Sequence, residues 1–268
     1  MRVRRLTLDD LDDCGRLAKD RGWLPERHKW TLLFEVGEVY GIDAPDGDGL
    51  ASTTILTRYG DDHAVISMVL TASRYGRRGL ARQLMEHVLA EAGDRVVSLH
   101  ATENGRPLYE RLGFRTVGHV AKHTGTFLGA HSGRTRPASE ADLATILELD
   151  AGAFGTDRSP LLRRMFAFGE RVRIAEGGYG HCWRNDDNVV IGPVVARDEE
   201  TARALIGDLA LDVGGEVRLD LDLAERALVA WAAGHGIGDP WQVSLMVRGG
   251  ELPGDRGRRF LPFMQALG

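Results

Sequence analysis

Internal repetition constrains this chain more than any other feature. "RRLTLDDLDDCGRLAKD" (Arg4 to Asp20) and "RTRPASEADLATILELD" (Arg134 to Asp150) share one plan: a short basic strand, a Thr or Ser helix cap, an Asp-Leu pair, then apolar residues at helical spacing. "VVSLHATENGRPLYERLGF" (Val96 to Phe114) and "VRLDLDLAERALVAWAAGHGI" (Val217 to Ile237) share another: an alternating strand, an amphipathic helix, and glycine before an apolar strand. The offset is about 130 residues for the first pair and about 120 for the second, so the second copy has shorter loops. Two copies of one α/β unit fill the 268 residues, with "GAHSGRTR" (Gly129 to Arg136) as the linker. The division falls at 1–132 and 133–268.

Composition removes several classes of function. No apolar run approaches the roughly 20 residues of a membrane span, and Met1 to Asp10 is too charged for a signal peptide, so a cytoplasmic protein with no membrane role is expected. A formal net charge of −5 argues against nucleic-acid partners, whose binding rests on neutralising phosphates. The two cysteines, Cys14 and Cys182, lie far apart without metal-ligand spacing; they read as buried thiols, and no metal is expected. Only Lys19, Lys29 and Lys122 are lysines among 34 basic residues, a bias attributed to GC-rich coding.

In the first copy, strands are predicted at Arg2 to Leu6, Leu50 to Arg58, His63 to Thr71, Val96 to His100 and Phe114 to Val120. Helices are predicted at Asp9 to Lys19, Glu26 to Phe34, Gly79 to Ala92 and Pro107 to Leu112. This is α/β with a mixed sheet. The strand His63 to Thr71 runs into "ASRYGRRGLAR", a turn with two glycines and four arginines at the mouth of a helix. The first N–H groups of a helix lack internal partners and carry the positive end of its dipole, so they suit an anion. Gly76 and Gly79 give the backbone room, and Arg77, Arg78 and Arg82 supply charge. Neither Gly-Lys-Ser/Thr nor Gly-x-Gly-x-x-Gly occurs in this turn, which excludes two standard phosphate loops.

The turn "GRRGLA" (Gly76 to Ala81), followed at the right distance by "LYERLGF" (Leu108 to Phe114), resembles the GNAT superfamily of acyl-CoA-dependent N-acyltransferases. The resemblance implies two tandem GNAT-like α/β (α+β) domains, each a mixed, mostly antiparallel sheet with flanking helices. It implies acetyl-CoA or coenzyme A as co-substrate, its pyrophosphate on Arg77, Arg78, Gly79, Leu80, Ala81 and Arg82. Its pantetheine arm is implied to lie on the backbone of Val69, Leu70 and Thr71 as an added strand. Tyr109 is implied to protonate the departing thiolate. Gly76 stands where the family has Arg or Gln, and Thr102 where it has asparagine.

Amide formation also needs a neutral amine. Where many relatives carry a glutamate, this chain has Val65, Ile66, Ser67 and Val97; His100, Asp61, His63 or a water chain remain candidates for the base. By the same resemblance the amine enters over Trp23, His28, Trp30, Glu35, Glu38, Tyr40 and Asp43, which suits a cationic small molecule. "FGTDRSPLL" (Phe154 to Leu162) resembles a loop of tandem members. The expected activity is acetyl transfer to a small amine; a non-catalytic acyl-CoA sensor and a protein or peptide N-acetyltransferase are the alternatives. In the second copy "RDEETARALI" (Arg197 to Ile206) has no glycine at the matching turn, and Trp231 replaces the tyrosine, so that copy is expected to bind no cofactor.

Overall fold

The computed structural model describes residues 1–268. Strands β1 (Arg4–Arg5), β2 (Glu38–Asp43), β3 (Leu50–Tyr59), β4 (His63–Thr71), β5 (Val96–Ala101) and β6 (Arg115–Thr126) belong to the first half. Helices α1 (Leu11–Asp20), α2 (Arg27–Val36), α3 (Leu80–Ala92) and α4 (Arg106–Arg111) connect them. The second half runs β7 (Arg136–Pro137), α5 (Leu143–Phe154), α6 (Ser159–Leu162), α7 (Met165–Phe168), β8 (Arg171–Ala175), β9 (Gly178–Arg184) and β10 (Val189–Ala196). It continues through α8 (Glu199–Val213), β11 (Glu216–Asp222), α9 (Arg226–Gly234), β12 (Ile237–Arg248) and β13 (Arg259–Leu261).

The repeat is structural to the level of single bonds. The Thr7 N–H donates to Asp10 at 2.9 Å while Arg4 clasps the same carboxylate at 2.6 and 3.1 Å. In the second half the Ser139 N–H donates to Asp142 at 2.9 Å and Arg136 clasps it at 2.6 and 3.0 Å. A capping carboxylate three residues after the cap fixes each helix entry and, through arginine, the strand before it.

All strands join one sheet, in the order β1-β2-β3-β4-β5-β12-β6-β11-β10-β9-β8-β7, with β13 against β10. The halves exchange edges. β12 pairs with β5 (Ala101 opposite Ser244, Val97 opposite Arg248), and β6 pairs with β11 (Val120 opposite Asp222, Thr126 opposite Glu216). The last long strand of each half thereby closes the sheet of the other, and neither leaves a bare edge. A single cluster of 52 buried apolar residues runs from Leu6 to Leu267, so the halves also share a core. The fully buried Arg158, held within the second half by Asp150 at 3.1 and 3.2 Å and by the Gly268 carbonyl at 2.9 Å, reaches across this junction to lie 5.6 Å over the Tyr59 ring.

Each half contains a place where two parallel strands part. β4 and β5 pair only at His63–Val65; beyond that the β5 side of β4 is unpaired, and β4 bulges at Met68, whose φ is +49°. β10 and β11 likewise pair only at Val189–Ile191 before β10 shifts register. That second cleft is filled: β13 hydrogen-bonds β10 with Leu261 opposite Val194 and Arg259 opposite Val195. The Pro262 carbonyl lies against Gly192 so closely that a Cβ there would be 2.0 Å from it.

Burial holds two core histidines neutral: His63 is pushed down to about 3 and His181 to about 4. The unfolded chain therefore binds two protons that the folded chain refuses, from the ordinary value of 6.5 down to about 4. Stability from these groups is complete above pH 6.5 and is expected to fall as pH drops, by about 1.4 kcal/mol per pH unit per histidine within that window. Urea midpoints at pH 7.5 and 5, read with imidazole resonances that stay neutral at pH 5 in the folded protein, check this.

Candidate active site

The glycine-arginine turn delivers an uncapped helix start. Gly79 is the residue before α3, at φ +81°, and no side chain caps the helix. A β-substituted residue is strained at that φ, which is why glycine stands here; the space beside it is open. Arg77 also has a left-handed backbone, at φ +61°. The charges divide by partner: Arg74 is held by Asp48 and Asp46, and Tyr75 donates to Asp46 at 2.6 Å, which pins the loop. Arg82 pairs with Glu86 at 2.7 Å. Arg77 and Arg78 are exposed and pair with no carboxylate, Arg78 resting 5.3 Å over the Tyr75 ring. Two free guanidiniums thus flank unsatisfied helix N–H groups. Leu80 is buried and Ala81 half-buried at the start of α3, so these two offer an anion only their backbone.

The second half shows the contrast. Asp198 caps α8 by accepting from the Thr201 N–H at 2.8 Å, with Glu199 in the first turn paired to Arg203. That helix start is both satisfied and acidic. Trp231 stands by Phe127 and His235 in an aromatic group.

Val69, Leu70 and Thr71 follow the bulge on the strand edge that β5 abandons. Their other edge is secured: Ser52 Oγ donates to the Leu70 carbonyl at 2.6 Å and lies 2.9 Å from the Thr71 hydroxyl. Tyr109 lies on α4, one short turn beyond β5, its ring edge-on to Phe114 and in contact with Gly105. Its hydroxyl has no hydrogen-bond partner in the protein, and burial pushes its pKa above the ordinary phenol value. It remains a protonated donor throughout the neutral range.

The base candidates separate in space. Asp61 is fully exposed and paired with Arg95 at 3.0 Å. His63 is bound to the Ser98 hydroxyl at 2.9 Å and faces a 460 Å³ cavity between the halves, away from the bulge. His100 borders both that cavity and a second one, of about 360 Å³, that reaches Ile66, Ser67 and Met68 at the bulge. His100 Nδ1 is 2.8 Å from the Gln265 carbonyl, which can only accept, so Nδ1 carries the hydrogen and Nε2 keeps a free lone pair. Burial holds the ring below its ordinary value and therefore neutral.

The 360 Å³ cavity is walled by both halves: Trp23 and Lys29 from the first, Trp183, Asn188 and Arg218 from the second, with Lys122 of β6 and Trp241 of β12 from the exchanged strands. Of the aromatic and acidic residues expected at the amine entrance, only Trp23 lines it. His28 stacks on Phe168, Trp30 is core, Glu35 pairs with Arg164, Glu38 with Arg5 and Arg58, Tyr40 donates to Glu38, and Asp43 pairs with Arg4. The loop after α5 does not reach the cavity; Thr156 donates to the Tyr59 carbonyl and ties the halves together. Two of the chain's three lysines line this cavity, although their scarcity was attributed to coding bias and, of the lining residues, Trp23 alone was expected at the amine entrance. Among the four non-glycine residues with left-handed backbone, Met68 and Glu26 lie in its wall and Arg77 in the adjoining loop; such strain persists where the surrounding structure enforces it, typically at functional sites. No helix is long and apolar enough to cross a membrane, and no group of three or more His, Cys, Asp or Glu is placed to hold a metal.

Residues 46–128 and 146–261 each match a family model described as an acetyltransferase (GNAT) domain. An uncharacterized N-acetyltransferase of Bacillus subtilis, YitH, is 28% identical over 226 residues, covering 80% of this chain and 79% of its own. Among solved structures, a proposed acetyltransferase from Pyrococcus horikoshii superposes over 100% of this chain and 95% of its own, with a TM-score of 0.83 at 18% identity. A tandem GNAT protein from the clavulanic acid biosynthesis pathway covers 92% and 97%, with a TM-score of 0.65 at 13% identity. These structures share the fold.

Proposed function

This chain belongs to the GNAT acetyltransferases, with two domains of that family, and from that premise we propose that it transfers an acetyl group from acetyl-CoA to the amine of a small molecule by direct attack in a ternary complex. The two domains make it an acyl-CoA-dependent N-acetyltransferase; the acetyl donor, the small-molecule acceptor and the residue roles are the proposal. Residues 1–132 are the catalytic domain, and residues 133–268 a GNAT-like domain that closes the acceptor cavity. The observation that carries the reading is the open β4–β5 cleft, with a bulged strand at its mouth, an uncapped helix with two unpaired arginines on one side and a cavity of about 360 Å³ on the other.

Arg77, Arg78 and the N–H groups of Leu80, Ala81 and Arg82 would hold the pyrophosphate, and the free edge of Val69, Leu70 and Thr71 the pantetheine amides. Acetyl-CoA supplies an activated acyl carbon on a thiol leaving group. The backbone at the Met68 bulge faces the developing oxyanion. His100 Nε2 takes the proton from the attacking amine as the N–C bond forms, and the Tyr109 hydroxyl gives its proton to sulfur as the C–S bond breaks. Both groups reset by exchange with solvent, so the net products are an amide and a thiol.

His100→Gln is the experiment for this reading. Because burial holds His100 below 6.5, the acid limb of kcat is expected below that pH, with a flat rate above it. His100→Gln should abolish the limb and lower kcat by about 10². A limb that survives in the variant would transfer the role to a water chain. Absence of thiol release with every amine, despite coenzyme A binding, would favour the acyl-CoA sensor.

A further inference from the structure

The acceptor cavity has unspent polar capacity of two kinds. Six buried side-chain polar atoms in the whole protein have no hydrogen-bond partner, and three of them, Ser67 Oγ, Asn185 Oδ1 and Asn188 Oδ1, belong to residues that line this one cavity. Ser67, Asn185 and Asn188 are each more than nine-tenths buried. A buried polar atom left unmatched costs about 1–3 kcal/mol; these three atoms are covered in this structure, and a ligand that brings hydrogen-bond donors would meet them by rotation of their side chains.

Charge gives the second kind. Lys29 is in contact with Glu26, and Arg218 grips Asp220 through two bonds at 2.9 and 3.0 Å. Lys122 lies across the strand pair from Asp220, whose oxygens are taken by Arg218 and by the Gln265 amide at 3.0 Å, so Lys122 has no carboxylate partner. At the rim Asp187 is exposed and equally unpaired. Burial, with Arg218 nearby, pushes the Lys29 ammonium down to about 7 against the opposing pull of Asp220 and Asp186, and the ammonium is in contact with Glu26. Lys29 is thus committed to the wall, and Lys122 is the cation left to meet an anion.

A ligand that satisfies both must present N–H donors and a negative group within about 360 Å³, in a cavity that Trp23, Trp183 and Trp241 help to line. We propose that the acceptor is a compact zwitterion, an amino acid or close analogue, whose carboxylate pairs with Lys122 and whose ammonium is received by Asn185, Asn188 and Ser67, losing one proton to solvent to become the neutral amine before His100 takes the second as the N–C bond forms. This identity rests on the transferase reading above. A polycationic amine would leave Lys122 unmatched and repelled, and a plain alkylamine would leave it unmatched.

The test is thiol release by the full chain, with saturating acetyl-CoA, from three matched panels: L-amino acids, their decarboxylated amines and their carboxamides. Amino acids should exceed both other panels in kcat/KM by about 10- to 100-fold, the range of one charge-assisted hydrogen bond. Lys122→Met should raise KM for amino acids by a similar factor, leave kcat within about threefold, and erase the preference; Lys122→Arg should restore it. Equal turnover of the decarboxylated amines, or a preference that survives Lys122→Met, would overturn the zwitterion while leaving the transferase intact. Thiol release with no panel, alongside calorimetric binding of acetyl-CoA, would overturn both.

Discussion

Tyr109→Phe is expected to lower kcat by about 10² to 10⁴ at neutral pH while coenzyme A affinity and thermal stability stay close to those of the parent protein. The hydroxyl donates to no protein group, so its loss breaks no internal hydrogen bond, and the ring contacts with Phe114 and Gly105 survive in phenylalanine. A structural tyrosine in this position would give a variant with full activity. Burial raises the phenol well above a thiol of pKa about 8.5, which alone would make proton delivery uphill. The thiolate departs into the same dry surroundings, and desolvation raises its basicity too, so donor and acceptor remain matched. Steady-state kinetics with a paired calorimetric titration decides the matter: an unchanged kcat removes Tyr109 from the mechanism.

One coenzyme A per chain, lost on charge reversal of Arg77 and Arg78, is the second expected result. The double variant Arg77→Glu/Arg78→Glu should weaken coenzyme A by at least about a hundredfold, since two charge-assisted contacts of about 1.5–3 kcal/mol each are replaced by repulsion. Both side chains are exposed and unpaired with any carboxylate, so the melting temperature should hardly move. Gly79→Val discriminates less well: φ is +81° there, and a β-branched residue strains the folded chain as well as the binding loop. The second half should contribute no site, because β13 fills its cleft and Asp198 caps its helix. A stoichiometry of two, or binding that survives the double reversal, would move the cofactor site elsewhere.

The legibility of this protein follows the range of the interactions involved. The repeat, the strand–turn–helix order, the Gly79 turn, the place of Tyr109 and the satisfied, acidic start of α8 were all visible in the sequence. Each is set by neighbours within a few residues: a cap, a φ angle, a period of apolar positions. Strand β2 was recognised only as part of an amine-facing surface, and β6 was read six residues short, since Ala121–Thr126 is held by β11 and β12 from the other half.

The residues around the 360 Å³ cavity proposed for the acceptor were not legible for the same reason. Sequence placed carboxylates and aromatics of the early helices and the second strand at its entrance, yet nearly all of them are consumed by partners distant in sequence, such as Arg4, Arg58, Arg164 and Phe168. Whether a charge is spent or free is a property of the pair, and pairing was decided by tertiary contacts. Strand pairing sets Lys122 opposite Asp220, but Arg218 of the same strand β11 and Gln265 from the C-terminal segment already occupy that carboxylate, which leaves Lys122 free. The proposed role of His100, ahead of His63 and Asp61, rests on a contact of the same kind, a carbonyl at Gln265 that fixes which ring nitrogen can accept a proton. Likewise β13 blocks the second cleft through pairing that no local pattern encodes, since an exchanged sheet satisfies its backbone groups with strands from anywhere in the chain.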